Sequence, residues 1–185
     1  MFVLILIVAA GVVGYVALTP RVQSLRNPGV GSPAPNFSLS DTNSGTFALS
    51  EYQGRSYVLL FFNEGLMCSP CLRQMSDLDA LNQQFLDLNI VVASITTDPL
   101  NQLTDWDQAS GPANSRVLSD QSLAVSKAYN VLGPDTSMMP GTRAGHTFFL
   151  LDQSGMIVWR KDYGPSTMYV PNDQLIAGVR QALGV

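Results

Sequence analysis

Cys68 and Cys71 are the only cysteines in this 185-residue chain, and two residues separate them. Their setting constrains the fold more than any other feature. Tyr57-Val58-Leu59-Leu60-Phe61-Phe62 precedes them and is an apolar run of strand length. After them Leu72, Met75, Leu78, Leu81 and Phe85 recur at three- and four-residue steps, the spacing of one helix face. A strand therefore ends in a short loop, Asn63-Glu64-Gly65-Leu66-Met67, and the cysteines sit where that loop becomes a helix.

This placement has a chemical consequence. The first turn of a helix carries free N–H groups and a partial positive charge, which stabilise an anion. A thiolate at Cys68 gains from both, so its pKa is expected to fall. Pro70 suits the first turn, where its missing N–H is not needed. Cys71 lies about one turn further in, within reach of a disulfide. The expected chemistry is attack by a Cys68 thiolate and resolution by Cys71. Three other readings stand beside it: half of a zinc site, a static disulfide and a copper-type site. Zinc finds little support, because there is no second cysteine pair and His146 is the only histidine.

The chain opens on Phe2-Val3-Leu4-Ile5-Leu6-Ile7-Val8, within a segment of about 18 apolar or small residues that carries no charge, enough to span a bilayer as a helix. An uncleaved anchor over residues 1–19 and a cleaved signal peptide both fit. The anchor fits better, since no Lys or Arg precedes the run and no clear cleavage motif follows it. Residues 20–35, rich in Pro, Gly and Ser, read as a tether, and residues 36–185 as one domain with one core. After Pro28 there are eight basic and fourteen acidic side chains, a formal −6. An acidic domain without a basic patch excludes nucleic acid as a partner. No nucleotide or phosphate motif is visible, and no cofactor is expected.

Within the domain, Phe37-Ser38-Leu39-Ser40 and Thr46-Phe47-Ala48-Leu49 alternate apolar and polar around a turn, a hairpin signal. Ser50 to Gly54 reads as a single helical turn. Asn89 to Thr97 is a β-branched run, a buried parallel strand that completes a βαβ unit. A helix is expected from Pro99 to Ala109, with Trp106 covering the surface, then a strand at Arg116 to Asp120 and a short helix over Leu123 to Tyr129. A long Gly/Pro-rich loop follows, Gly133 to Gly145, in which Met138-Met139 reads equally as an adaptable contact surface or as core filler. His146 to Leu151 and Met156 to Arg160 form a second hairpin. Asp173 to Leu183 closes the chain as a helix, with Asn172 or Asp173 near its N-cap.

Val30-Gly31-Ser32-Pro33-Ala34-Pro35-Asn36-Phe37-Ser38-Leu39, the strand before Cys68-Ser69-Pro70-Cys71, and Phe149-Leu150-Leu151-Asp152-Gln153-Ser154-Gly155 together resemble the thioredoxin-like redoxins. That group holds the alkyl hydroperoxide reductase/thiol-specific antioxidant domains and membrane-tethered thiol–disulfide oxidoreductases. The resemblance covers about Val30 to Gly164. It implies an α/β thioredoxin-like fold: a central mixed sheet flanked by helices, with an N-terminal hairpin behind one N-terminal transmembrane helix. It implies thiol–disulfide exchange with protein dithiol or disulfide clients, or with an electron-donating thiol protein. The loop from Gly133 should then lie beside the cysteines. The two basic residues Arg21 and Arg26 would by themselves keep the domain cytoplasmic; the tethered redoxins face outward, and that face is the expectation taken here.

The chain also departs from the family pattern. Thioredoxins carry Trp where Met67 stands, and a proline where His146 aligns; Pro140 lies too far upstream to replace it. Peroxiredoxins carry Pro and Thr or Ser where Phe61 and Gly65 stand, and an Arg at the position of His146, for which Arg143 is the nearest substitute. These losses weigh against efficient peroxide reduction, which needs donors to polarise the O–O bond. A peroxiredoxin-like hydroperoxide reductase stays open as an alternative. His146 reads as a proton acceptor for Cys71 or Cys68, as the third ligand of a Cys-Cys-His copper site similar to that of Sco-type chaperones, or as a polar residue at a strand start. Glu64 reads as a proton-relaying acid near the dithiol or as a solvated loop carboxylate.

Overall fold

The computed structural model describes residues 28–110, 114–164 and 166–185. The apolar segment read as an anchor lies outside the described residues, among which no helix is long and apolar enough to cross a membrane.

Seven strands form one sheet: β1 (Ser38–Asp41), β2 (Thr46–Ala48), β3 (Tyr57–Phe62), β4 (Ile90–Thr96), β5 (Arg116–Ser119), β6 (Thr147–Leu151) and β7 (Ile157–Asp162). Their order across the sheet is β2-β1-β5-β4-β3-β6-β7. The pairs β3–β4 and β4–β5 are parallel; β1–β2, β1–β5, β3–β6 and β6–β7 are antiparallel. Both expected hairpins form, one at each edge.

The helices are α1 (Ser69–Ala80), α2 (Asn82–Asp87), α3 (Leu100–Ser110), α4 (Ala124–Ala128) and α5 (Asn172–Leu183). Central strands covered on both faces read as continuous apolar runs, and β3 shows why. Its alternate residues Val58, Leu60 and Phe62 join Phe47, Ile95, Tyr129 and Phe149 on one face. Leu59 and Phe61 meet Met75, Leu78, Phe85, Leu175 and Val179, from α1, α2 and α5, on the other. Trp106 packs partly buried against this second core, in keeping with a structural role.

Two expectations need correcting. The apolar stripe from Leu72 to Phe85 reads as one helix, but the chain breaks it at Leu81, whose N–H is shared between the carbonyls of Asp77 and Asp79. Leu81 and Phe85 still reach the core because α2 resumes with nearly the same face inward. At α5 the cap position is Pro171, with no side-chain cap, and Asn172 Oδ1 is buried without a partner; Asp173 lies in the first turn, where the helix dipole favours an acid.

Leu78 is fully buried between α1 and the sheet. Leu78→Ala is expected to cost about 2–5 kcal/mol, the range for deleting a buried leucine side chain, read as a lowered urea midpoint with unchanged slope.

Candidate active site

The parallel pair β3–β4 points its C-terminal ends the same way, and the chain leaving β3 makes the cysteine loop at that edge. Strand β6 runs antiparallel to β3 with Phe62 opposite Thr147, so the residue before β6 arrives at the same edge. That residue is His146.

Gly65 to Met67 forms a 3-10 turn, and Cys68 is the N-cap of α1, in extended backbone conformation, with Pro70 in the first turn. Cys68 and Cys71 are joined as a disulfide, with Cα atoms 5.2 Å apart. The Cys71 N–H donates to Cys68 Sγ at 3.2 Å. This is the helix-start stabilisation expected for an anionic sulfur at Cys68. Cys71 is wholly buried, and Cys68 keeps 3% of its surface exposed.

His146 Nε2 lies 2.7 Å from Cys71 Sγ and 3.4 Å from Cys68 Sγ. Its backbone is fixed on both sides: its N–H donates to the Thr136 carbonyl, and its carbonyl accepts from the Tyr163 N–H. The imidazole is buried and its Nδ1 has no hydrogen-bond partner. Burial pushes its pKa below the ordinary 6.5; the Glu64 carboxylate and the nearby Thr136 backbone pull the other way. A neutral ring results at neutral pH, able to take a proton from a thiol. His146 does stand immediately before β6, and its ring there lies against both sulfurs.

Glu64 is 1% exposed, so it is not a solvated loop carboxylate. Its Oε1 accepts from the Ser137 hydroxyl at 2.8 Å and from the Met138 N–H, while Oε2 is buried without a partner. It therefore fastens the loop 133–145 to the turn before Cys68. Met138 and Met139 on that loop are 50% and 39% exposed, and Met67 is 58% exposed, which rules out core filling for the pair. Pro140 lies exposed on the same loop.

Asp98, just beyond β4, carries a role that sequence reasoning missed. It is buried, and its Oδ2 accepts from the Leu66 N–H at 2.9 Å and the Thr96 hydroxyl at 3.1 Å. Arg143 pairs with the other oxygen. Gly65 sits against this carboxylate with φ +77°, and a Cβ there would come within 1.6 Å of Asp98 Oδ2. Arg143, considered as a stand-in for a peroxide-binding arginine, is thus engaged with Asp98 and 3.5 Å from the Thr97 hydroxyl. The available signal was an acid at the C-terminal end of a parallel strand beside the cysteine strand.

Cys68, Cys71 and His146 also form a possible ligand set: their donor atoms lie within 4.8 Å of one another and all three residues are buried. Two sulfurs and one imidazole suit a soft cation such as Cu(I).

A mixed sheet between helices, with a Cys-x-x-Cys at the start of the helix after the central strand, defines a thioredoxin-like redoxin. The model of the AhpC/TSA family matches residues 30–160, and the chain belongs to that family. It is 28% identical over 154 residues to the thiol-disulfide oxidoreductase ResA of Geobacillus kaustophilus, covering 83% of this chain and 80% of that one. It is 29% identical over 137 residues to a putative peroxiredoxin of Synechocystis, covering 69% of this chain and 66% of the other. Among solved structures, Enterococcus faecalis AhpC superposes with a TM-score of 0.74 at 15% identity, over 85% of this chain and 94% of that one. The reduced 2-Cys peroxiredoxin of Plasmodium vivax gives 0.71 at 23%, over 84% and 83%. At these identities the structures speak for the fold alone. The relatives are thiol–disulfide oxidoreductases and peroxiredoxins by name, and in this chain Cys68 and Cys71 are joined at the start of α1.

Because His146 is neutral and its pKa is depressed on folding, its contribution to stability is full above pH 6.5 and is lost as pH falls from there towards the folded-state value. Stability of the oxidised protein is expected to fall with acidification over that window, and His146→Asn to flatten the fall in a pH series of urea unfolding. Glu64→Gln removes a charge that raises the imidazole pKa. His146 in that variant is expected to titrate lower still, read from its ring proton shifts by NMR.

Proposed function

We propose that the protein is a membrane-anchored thiol–disulfide oxidoreductase, working through Cys68 and Cys71. The observation that carries this reading is the cysteine pair at the start of α1 with His146 Nε2 against both sulfurs. In the reducing direction, the Cys68 thiolate attacks one sulfur of a client disulfide. A Cys68–client bond forms, the client S–S bond breaks, and the departing client thiolate takes a proton. Cys71 then gives its proton to His146 Nε2 and attacks Cys68 Sγ. The Cys68–Cys71 disulfide forms, the mixed disulfide breaks, and the second client thiolate leaves with the proton from His146. Two electrons pass from the dithiol to the client. The reverse sequence oxidises a client dithiol.

Cys68 is the attacking sulfur because it receives the Cys71 N–H and retains the little exposure the pair has. Glu64 tunes the imidazole through its charge and holds the loop beside it. The clients are protein disulfides or dithiols, with an electron-donating thiol protein restoring the pair. The apolar segment 1–19 anchors the domain, facing the extracytoplasmic side.

A second reading is favoured by the Cys68, Cys71 and His146 ligand set: stoichiometric Cu(I) binding by the reduced protein, as in a copper chaperone. His146→Ala would then lose the metal.

Rapid mixing of the reduced protein with oxidised glutathione and, separately, with hydrogen peroxide tests the assignment by free-thiol counting. Exchange is expected to be fast and peroxide oxidation no faster than that of an ordinary thiol. Cys68→Ser should abolish exchange and Cys71→Ser should trap the mixed disulfide. Fast peroxide oxidation would instead place the protein with the hydroperoxide reductases; slowness towards both, with tight Cu(I) binding, would favour the chaperone reading.

A further inference from the structure

Two residues flank Gly65 in the turn before Cys68, and each is tied to the loop that carries His146. Glu64 holds the Ser137 hydroxyl and the Met138 N–H. Leu66 donates its N–H to Asp98, whose second oxygen is paired with Arg143, three residues before His146. The Glu64 tie is direct. The Leu66 tie runs through one buried carboxylate that is itself fixed: its hydroxyl donor is Thr96, on the last residue of β4, and its backbone carbonyl accepts from Ser119 at 2.7 Å. Gly65 lies so close to Asp98 that no side chain fits between them.

We propose that Asp98 and Arg143 are positioning residues, which set the imidazole of His146 over Cys71 by clasping the loop 133–145 to the cysteine turn. Neither touches the reacting sulfurs; they act through His146. The inference rests on the exchange reading. Within it, the clasp matters in one step. The first attack uses the Cys68 thiolate, stabilised locally by the helix start. The resolving step needs Cys71 to lose its proton to Nε2, and that transfer depends on the ring being held close to Cys71 Sγ, from which it stands 2.7 Å in the disulfide form. Loosening the loop lets the ring drift, and displacement on the scale of about 1 Å costs up to roughly a hundredfold in such steps. Arg143 reaches Asp98 through a single nitrogen, Nη1, so a lysine can replace that contact.

The test is a single-turnover reaction of the reduced full chain with oxidised glutathione, quenched with acid and read by mass spectrometry. Arg143→Gln is expected to accumulate glutathione bound to Cys68, with resolution slowed roughly 10- to 100-fold and the first attack unchanged. Arg143→Lys should restore resolution. Asp98→Asn should behave as Arg143→Gln does. The double variant Arg143→Gln with His146→Ala should resolve no more slowly than His146→Ala alone, since both remove the same proton acceptor from its place. A role confined to stability would slow both phases together or neither, and its effect would add to that of His146→Ala; either result overturns the proposal. Should Asp98→Asn fail to fold, the Arg143 variants still decide. If the wild type does not exchange with glutathione, the oxidoreductase reading falls and the clasp with it; if it exchanges and Arg143→Gln resolves at the wild-type rate, the clasp alone falls.

Discussion

The antiparallel pairing of β6 with β3 is the constraint on which the site depends. Phe62 opposite Thr147 brings the end of one strand and the beginning of the other to a single edge of the sheet. The cysteine turn leaves from the first and His146 enters the second. Sheet register is strict, because a slip by one residue would turn every buried side chain of Leu59, Phe61, Phe148 and Leu150 to the opposite core. The cores on the two faces therefore fix not only the fold but the meeting of an imidazole with two sulfurs 75 and 78 residues away in sequence.

The site is built from buried polar groups, each held by its own partners. Glu64, Asp98 and His146 are each almost entirely removed from solvent. A buried carboxylate is tolerated when it is paired and hydrogen-bonded, and Asp98 has three donors. Glu64 is satisfied on one oxygen only, and His146 on neither of its ring positions by oxygen or nitrogen partners. Glu64 Oε2 and His146 Nδ1 are thus left without partners inside the site. Elsewhere the chain follows the ordinary economy of a redoxin, with aromatic residues such as Tyr129, Phe149 and Phe62 packed ring against ring.

Surface character changes sharply at this edge. The domain is acidic overall, yet the rim near the cysteines presents Met67, Met138 and Met139. Methionine side chains are unbranched and polarisable, and adapt to varied apolar partners. Cys68 is barely exposed, and these exposed methionines lie on the turn before it and on the loop tied to that turn by Glu64.

Much of this was legible in the sequence. The apolar run before Cys68, the helical stripe after it and the two hairpin signals are local patterns, and local patterns follow from short-range sterics and burial. They led to the strand, loop and helix around the cysteines, and the helix-start environment of Cys68 followed from its position before Ser69 and Pro70. His146 and Glu64 were identifiable as candidates, yet the sequence left Glu64 open between a relay and a solvated loop residue, because burial is set by what packs over a segment. The loop 133–145 is what covers Glu64, and no periodicity places a loop. The break at Leu81 was invisible for a similar reason: a 3.6-residue stripe survives a shared hydrogen bond that interrupts the helix beneath it. Asp98 and Arg143 meet across 45 residues with no pattern joining them. The sequence by itself determined the cysteine pair and its helix, since these rest on neighbours in the chain, and its resemblance to the redoxins implied the class of fold. Only the tertiary structure decided which polar residues surround the pair, since strand pairing and loop packing choose among distant residues that local chemistry treats alike.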